Sequence, residues 1–331
     1  MKKKLIAMLL SAAMCLSLAA CGQKADTPDT TDPAEPSGDA ATYTVGICQL
    51  VQHVALDAAT QGFKDALTEA LGDKVQFVEQ NAANDIPTCA TIVNGFVSDG
   101  VDLILANATP ALQAAVAATD TIPILGTAVT EYGVALDIKD FNGTVGGNVS
   151  GTSDLAPLDQ QAAMILELFP DAKKVGILYC SAEPNSVYQS DVVKAGLEKS
   201  GITVSVYTFA DSNDVAAVTA TACDENDVLY IPTDNTAASC TEAVNNVAEP
   251  AGVPIIAGEE GICAGCGVAT LSINYYDLGV TTGKMAAKIL TGEANISEMP
   301  IEYFPDPVKK YNPAICEALG ITVPEDYVAI G

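Results

Sequence analysis

His53 is the only histidine in the chain, so any chemistry that needs an imidazole must be built around that one side chain. A Ser-His-Asp or Cys-His arrangement has a single possible base, and multi-histidine metal sites are ruled out. Cys263 and Cys266 have the C-x-x-C spacing of redox dithiols and metal clips, but no second such pair and no nearby histidine completes a zinc set. The expectation there is a local disulfide or two free thiols in a turn, with no metal and no cofactor. Glu259 and Glu260 are adjacent, and neighbours at a strand end point apart, so they do not make a catalytic carboxylate pair. One is expected at a ligand and the other at a structural contact. Residues 143–151, GTVGGNVSG, are rich in glycine but lack the G-x-G-x-x-G spacing after a first strand that a phosphate loop requires. They read as a strand and a crossing between domains. With no nucleophile–base pair, the sequence points to binding without catalysis rather than to an enzyme.

Charge narrows the partners. The chain carries 15 Lys plus Arg against 42 Asp plus Glu, a formal net charge of −27, and no arginine at all. Such a surface repels phosphate backbones and anionic lipid headgroups, which argues against nucleic acid and against electrostatic docking to membranes. Of the 10 cysteines, Cys15 and Cys21 fall in or at the end of the amino-terminal apolar run. The others are spread through a chain with ample apolar residues, and most are expected to be small buried hydrophobes.

At the amino terminus Lys2, Lys3 and Lys4 precede an apolar run over 5–20 that stops at Cys21. That is a charged n-region followed by an h-region too short to span a bilayer. Leu18-Ala19-Ala20-Cys21 resembles the lipobox of bacterial lipoproteins, whose cysteine is diacylated after cleavage. Residues 1–20 are therefore expected to be a signal peptide, with Cys21 as a membrane anchor. Residues 21–42 are expected to form a disordered tether, since their Thr, Asp, Pro, Ala and Ser cannot bury a core.

The rest exceeds the usual size of one core, so two domains are expected. Apolar runs at 44–49, 75–79, 103–106 and 122–125 read as strands between helical stretches at 56–71, 87–98 and 111–118. The rhythm restarts with strands at 175–179, 204–209, 228–231 and 254–257, separated by helices near 187–199, 215–223 and 239–251. Unalternating apolar strands between helices imply parallel sheets covered on both faces. The expected fold is α/β, two Rossmann-like lobes, the first from 43–153 plus 269–292 and the second from 154–268 plus 293–331. In such sheets ligands bind beyond the carboxyl ends of the strands. Polar residues recur there: Gln49, Gln52 and His53; Asn107 and Thr109; Thr127; Ser181, Glu183, Asn185 and Ser186; Thr233 to Thr236; Glu259 and Glu260.

Several of these segments are similar to one family across nearly all of the chain past the tether. They are 49–62 (QLVQHVALDAATQG), 105–112 (LANATPAL), 148–154 (NVSGTSD), 181–186 (SAEPNS), 232–237 (PTDNTA), 258–261 (GEEG) and 274–284 (NYYDLGVTTGK). Together they resemble the ABC transporter substrate-binding family that includes tryptophan- and tyrosine-binding members. The resemblance implies a type I periplasmic-binding-protein (Venus-flytrap) fold with three crossovers, an extracytoplasmic location, and an importer permease and ATPase as partners. Members tend to have an acidic residue and a proline beside the histidine, where this chain has Gln52 and Val54, and an asparagine where it has Cys180.

The expected ligand is a small molecule held between the lobes, an amino acid with aromatic ones first; a sugar, nucleoside or other neutral solute is the alternative. Without arginine, a ligand carboxylate must rest on backbone N–H groups, helix amino termini and hydroxyls such as Thr109 and Thr127. Asp234 is expected to anchor the ammonium, the alternative being an N-cap. His53 is read as a polar wall or a helix-cap residue, and Tyr275, Tyr132 or Tyr188 as an aromatic contact. The remaining expected ligand residues are Gln49, Asn107, Ser153, Asp154, Asn185, Ser186, Asn235, Thr236 and Glu259.

Overall fold

The computed structural model describes residues 42–304 and 307–331. The expected signal peptide, Cys21 and the tether up to residue 41 lie outside the described residues.

Runs such as LILAN and VLYI are buried at every position, because β-branched and leucine side chains on both pleat faces suit a strand sandwiched by helices. In chain order the strands of the first half are β1 (Tyr43–Gln49), β2 (Val75–Asn81), β3 (Leu103–Asn107), β4 (Ile124–Val129) and β5 (Val149–Ser153). They are followed by β6 (Lys174–Cys180), β7 (Thr203–Phe209), β8 (Val228–Ile231), β9 (Ile255–Ala257), β10 (Ala269–Ser272), β11 (Glu302–Tyr303), β12 (Val308–Tyr311) and β13 (Val328–Ala329). Two sheets result, ordered β11-β5-β4-β3-β1-β2 and β13-β12-β10-β9-β8-β6-β7. Every pairing is parallel except β10 with β12. The outer strand β2 is largely exposed and β7 partly so, as edge positions allow.

The helices are α1 (Val54–Leu71), α2 (Ile86–Asp99), α3 (Thr109–Ala118), α4 (Tyr132–Ala135), α5 (Leu158–Leu168) and α6 (Pro184–Lys199). They continue with α7 (Val215–Glu225), α8 (Asn235–Ser239), α9 (Thr241–Ala251), α10 (Glu260–Cys266), α11 (Tyr275–Leu290) and α12 (Pro313–Leu319). Each of α1, α2 and α3 follows a strand of the first sheet and ends the unit, so their amino termini gather at the same edge as the strand carboxyl ends.

The chain passes from one sheet to the other after β5, after β10, and between β11 and β12. Helix α11 packs on the first lobe against α1, and the contact is backbone to backbone. A Cβ at Gly62 would lie 2.1 Å from the Tyr276 carbonyl oxygen, and one at Gly279 would lie 2.0 Å from that of Ala59. Only glycine admits such an approach.

The lobe boundaries differ from the sequence expectation. Strand β10, assigned above to the first lobe, pairs with β9 and β12 in the second sheet. Strand β11, assigned to the second, pairs with β5 in the first. The reason is that both strands are short and carry little periodic signal of their own; their place is set by the ladder they extend. The helix read at 239–251 begins slightly later, at Thr241 as α9, and a short separate helix α8 precedes it over Asn235–Ser239. The strand read at 122–125 begins later, at Ile124, just past Pro123, which has no N–H to give a ladder.

Candidate functional site

The polar residues expected at the site are nearly all buried where the carboxyl ends of the two sheets meet, and their hydrogen bonds sort them. In the first lobe, Gln49 is consumed internally: its Nε2 donates to Val51 O at 2.9 Å and Asp57 Oδ1 at 2.7 Å, and its Oε1 accepts from Thr60 at 2.7 Å. Ser153 donates to Thr130 O at 2.7 Å. Thr127, expected near a ligand carboxylate, has its hydroxyl neighbours within the first lobe. It sits in a hydroxyl cluster with Thr152 at 3.3 Å and Thr282 of α11 at 3.2 Å, because α11 covers that face of the sheet. Asn107 donates to Leu56 O and Thr60 Oγ1, both at 2.9 Å, while its Oδ1 is buried without a partner. Thr109 opens α3 and is buried.

In the second lobe a residue named above at the crevice, but not among the expected ligand contacts, organises the others. Glu183, buried at the foot of α6, accepts from Asn235 N at 3.0 Å and Asn235 Nδ2 at 2.6 Å with one oxygen. Its other oxygen accepts from Thr236 N and Thr236 Oγ1, both at 2.8 Å. The signal for it was present in the segment SAEPNS, directly after a buried strand and before a proline at a helix start. Asn185 donates to Thr233 O at 3.1 Å, and its Oδ1 is buried and unpartnered.

Asp234 caps α8. Its Oδ1 accepts from Ala237 N at 2.7 Å, and its Oδ2 accepts from Cys180 N at 2.8 Å and Ser186 Oγ at 2.7 Å. Donors of the second lobe reach both oxygens, the N-cap geometry named above as the alternative to an ammonium anchor, with Ser186 as its support. Burial, with Glu183 close by, pushes its carboxyl up to about 8.

Glu259 likewise caps α10, accepting from Gly261 N at 2.6 Å and Ile262 N at 2.5 Å, and burial pushes it up to about 7. Glu260 pairs with Lys310 at 2.5 Å. Cys263 and Cys266 are free thiols inside α10 rather than in a turn. They donate to the carbonyls of Gly267 at 3.7 Å and Ile262 at 3.3 Å.

One carboxylate remains under-used. Asp154, at the first crossing between lobes, accepts from the Tyr275 hydroxyl at 2.9 Å through Oδ2, while Oδ1 is buried and unpartnered. Burial raises its pKa, partly offset by the Tyr275 and Thr130 hydroxyls. Tyr132 is core, its hydroxyl donating to Thr152 O at 3.1 Å, and Tyr188 is half-buried.

Among the described residues, two hydrogen bonds cross between the lobes. His53 Nε2 meets Asn235 Oδ1 at 3.3 Å, and Asn84 Nδ2 donates to Thr236 Oγ1 at 3.1 Å. Although His53 precedes α1, its side chain caps nothing; it reaches the other lobe instead. Beside these bonds lies a cavity of about 190 Å³ between Leu50, Asn84 and Pro110 on one side and Cys180, Glu183 and Thr236 on the other. Backbone strain gathers at the same edge: Asn84 has φ 63°, Ala108 φ 90° and Ala128 φ 52°. Left-handed φ costs a non-glycine residue roughly 1–3 kcal/mol and is held where surrounding structure over-determines it, often at ligand clamps.

Two parallel-sheet lobes meeting on buried polar strand ends define a solute-binding protein of the type I periplasmic architecture. The chain belongs to the ABC transporter substrate-binding protein family, whose model matches residues 44–330. It is 36% identical over 303 residues to the tyrosine-binding protein of Clostridioides difficile, covering 90% of this chain and 87% of that one. Among solved structures, an L-Trp complex from Streptococcus pneumoniae matches with a TM-score of 0.82 at 34% identity, covering 86% of this chain and 97% of the other. A ligand-free, open substrate-binding protein from Clostridium difficile matches at 39% identity with a TM-score of 0.67, covering 87% and 99%.

Proposed function

We propose that this substrate-binding protein encloses an aromatic amino acid between its lobes and presents it to an importer permease driven by an ATPase, without catalysing any reaction. Asp154 is the partner of the ligand ammonium. The observation that carries this reading is the buried, unpartnered Oδ1 of Asp154, which suits a cation donor in a protein whose similar relatives include a tyrosine-binding protein and an L-Trp complex. Asp234 and Glu259 have given their oxygens to helix caps, so they compete poorly for that role. The ligand carboxylate, with no arginine in the chain, rests on N–H groups and hydroxyls at helix starts, Thr109 among them. Asn107 and Asn185, each with a buried unpartnered oxygen, supply further acceptors.

The protein works outside the cytoplasm, held to the membrane by a lipid on Cys21. The charged, apolar Leu-Ala-Ala-Cys start supports that reading. Cys21→Ala should release the protein from the detergent phase on partitioning; an unchanged distribution contradicts the anchor. The ligand is tested by a thermal-shift panel of amino acids, sugars and nucleosides on the folded domain. A ligand at a hundred times its dissociation constant adds about 2.7 kcal/mol of stability, so L-tyrosine or L-tryptophan should stand out, and a shift with sugars or nucleosides alone overturns the reading.

A further inference from the structure

The hydrogen bonds around His53 assign its proton. Glu183 takes both the backbone N–H and the Nδ2 of Asn235, at 3.0 and 2.6 Å. Turning that amide over would set its oxygen against a carboxylate, so the orientation is fixed and Oδ1 is what faces His53 Nε2 at 3.3 Å. An amide oxygen only accepts; Nε2 must therefore carry the hydrogen, and in a neutral imidazole Nδ1 is then an acceptor. Burial lowers the His53 pKa and keeps the ring neutral. Nδ1 itself is buried and finds no partner among the described residues.

We propose that His53 Nδ1 is a specificity-determining acceptor that takes an N–H or O–H of the bound amino acid, with Asn235 and Glu183 as positioning residues that set its tautomer. This inference rests on the amino-acid reading above. It makes the site discriminate by chemistry rather than size, since a ligand with no donor at that place leaves a buried acceptor unpaired, a loss of roughly tenfold to a hundredfold in affinity. The chain Glu183–Asn235–His53 also spans the two lobes, so the acceptor is presented in this tautomer only when they meet.

A single histidine makes the test clean. Protein labelled with ¹⁵N-histidine is saturated with L-tyrosine and, separately, with L-tryptophan, binding being followed by calorimetry on the same samples. Long-range proton–nitrogen correlation should show the Nε2–H tautomer and an unprotonated Nδ1 whose resonance moves to lower frequency on saturation. An Nδ1–H tautomer, an imidazolium, or an Nδ1 that stays still while calorimetry shows saturation overturns this inference alone. No heat with either amino acid overturns the ligand reading, and this inference with it. Asn235→Ala should mix the two tautomers in the bound state; a pure Nε2–H tautomer there removes Asn235 from the mechanism. L-phenylalanine separates the donors: a tenfold or greater loss relative to L-tyrosine places the phenol at Nδ1, and equal affinity with the same Nδ1 shift places the ammonium there.

Discussion

Asp154 and Tyr275 are joined by a 2.9 Å hydrogen bond from the phenol to one carboxylate oxygen, and the other oxygen is buried with no partner. Asp154 closes the first sheet's last buried strand, whereas Tyr275 opens the helix that returns to that lobe, so two of the chain's passages between lobes meet in this bond. Removing one partner of a desolvated charge pair costs about 2 to 5 kcal/mol of binding. Asp154→Asn should therefore weaken amino-acid binding by that amount in calorimetry while keeping an oxygen for Tyr275. Affinity within a few-fold of the parent would remove Asp154 as the ammonium partner.

Asp234 is expected to behave in the opposite way. Its oxygens receive Ala237 N, Cys180 N and Ser186 Oγ, so Asp234→Ala loses a cap and leaves buried donors unpaired, at about 1–3 kcal/mol of stability. Asp234→Asn should also lose stability, because its amide group would face the Cys180 N–H. Denaturant unfolding should register both losses, with ligand affinity in Asp234→Asn changed by less than tenfold. A collapse of affinity without loss of stability contradicts the cap.

Much of this was legible in the sequence, and the misses have a common cause. Strands such as VLYI announce themselves because both faces are apolar, and the polar residues beyond them mark the crevice. Periodicity fails for β10 and β11, whose place depends on which ladder they extend. It fails again for the direction of side chains: Thr127 and Asp154 both follow buried runs, yet one faces α11 and the other keeps an oxygen unpaired. Glu183 reads in sequence as one of several polar residues at the crevice, with nothing to single it out. Its role appears only when α8 is brought against it.

The contact between α1 and α11 gives a paired stability test. A Cβ at Gly279 would lie 2.0 Å from the Ala59 carbonyl oxygen, so Gly279→Ala must push the helices apart, at roughly 1–3 kcal/mol. Gly95, inside α2, has nothing within 4 Å of an added Cβ, and Gly95→Ala should stabilise by about 0.5–1 kcal/mol. Thermal melts of both variants check the pair; equal effects of the same sign contradict the packing.

Acidity should act in opposite senses on stability and on binding. Glu259, raised to about 7 from an ordinary 4.5, and Asp234, raised to about 8 from 3.8, hold protons more tightly in the fold than in the unfolded chain. Their contribution is complete below pH about 4 and is lost as pH rises through 7 to 8. The melting temperature of the unliganded protein should fall between pH 5 and pH 8. Asp154 is also raised by burial, but an ammonium needs its ionised form, so amino-acid affinity should weaken on acidification. Stability that climbs with pH across that window contradicts the first expectation, and affinity that strengthens on acidification contradicts the second.

The most direct measurement is a crystal structure of the protein with L-tryptophan or L-tyrosine bound. The ligand ammonium should lie within hydrogen-bond distance, about 2.7–3.0 Å, of Asp154 Oδ1, with the lobes meeting across His53 and Asn235. A complex in which that oxygen touches no part of the ligand, or in which the amino acid sits outside the space between the lobes, would contradict the account.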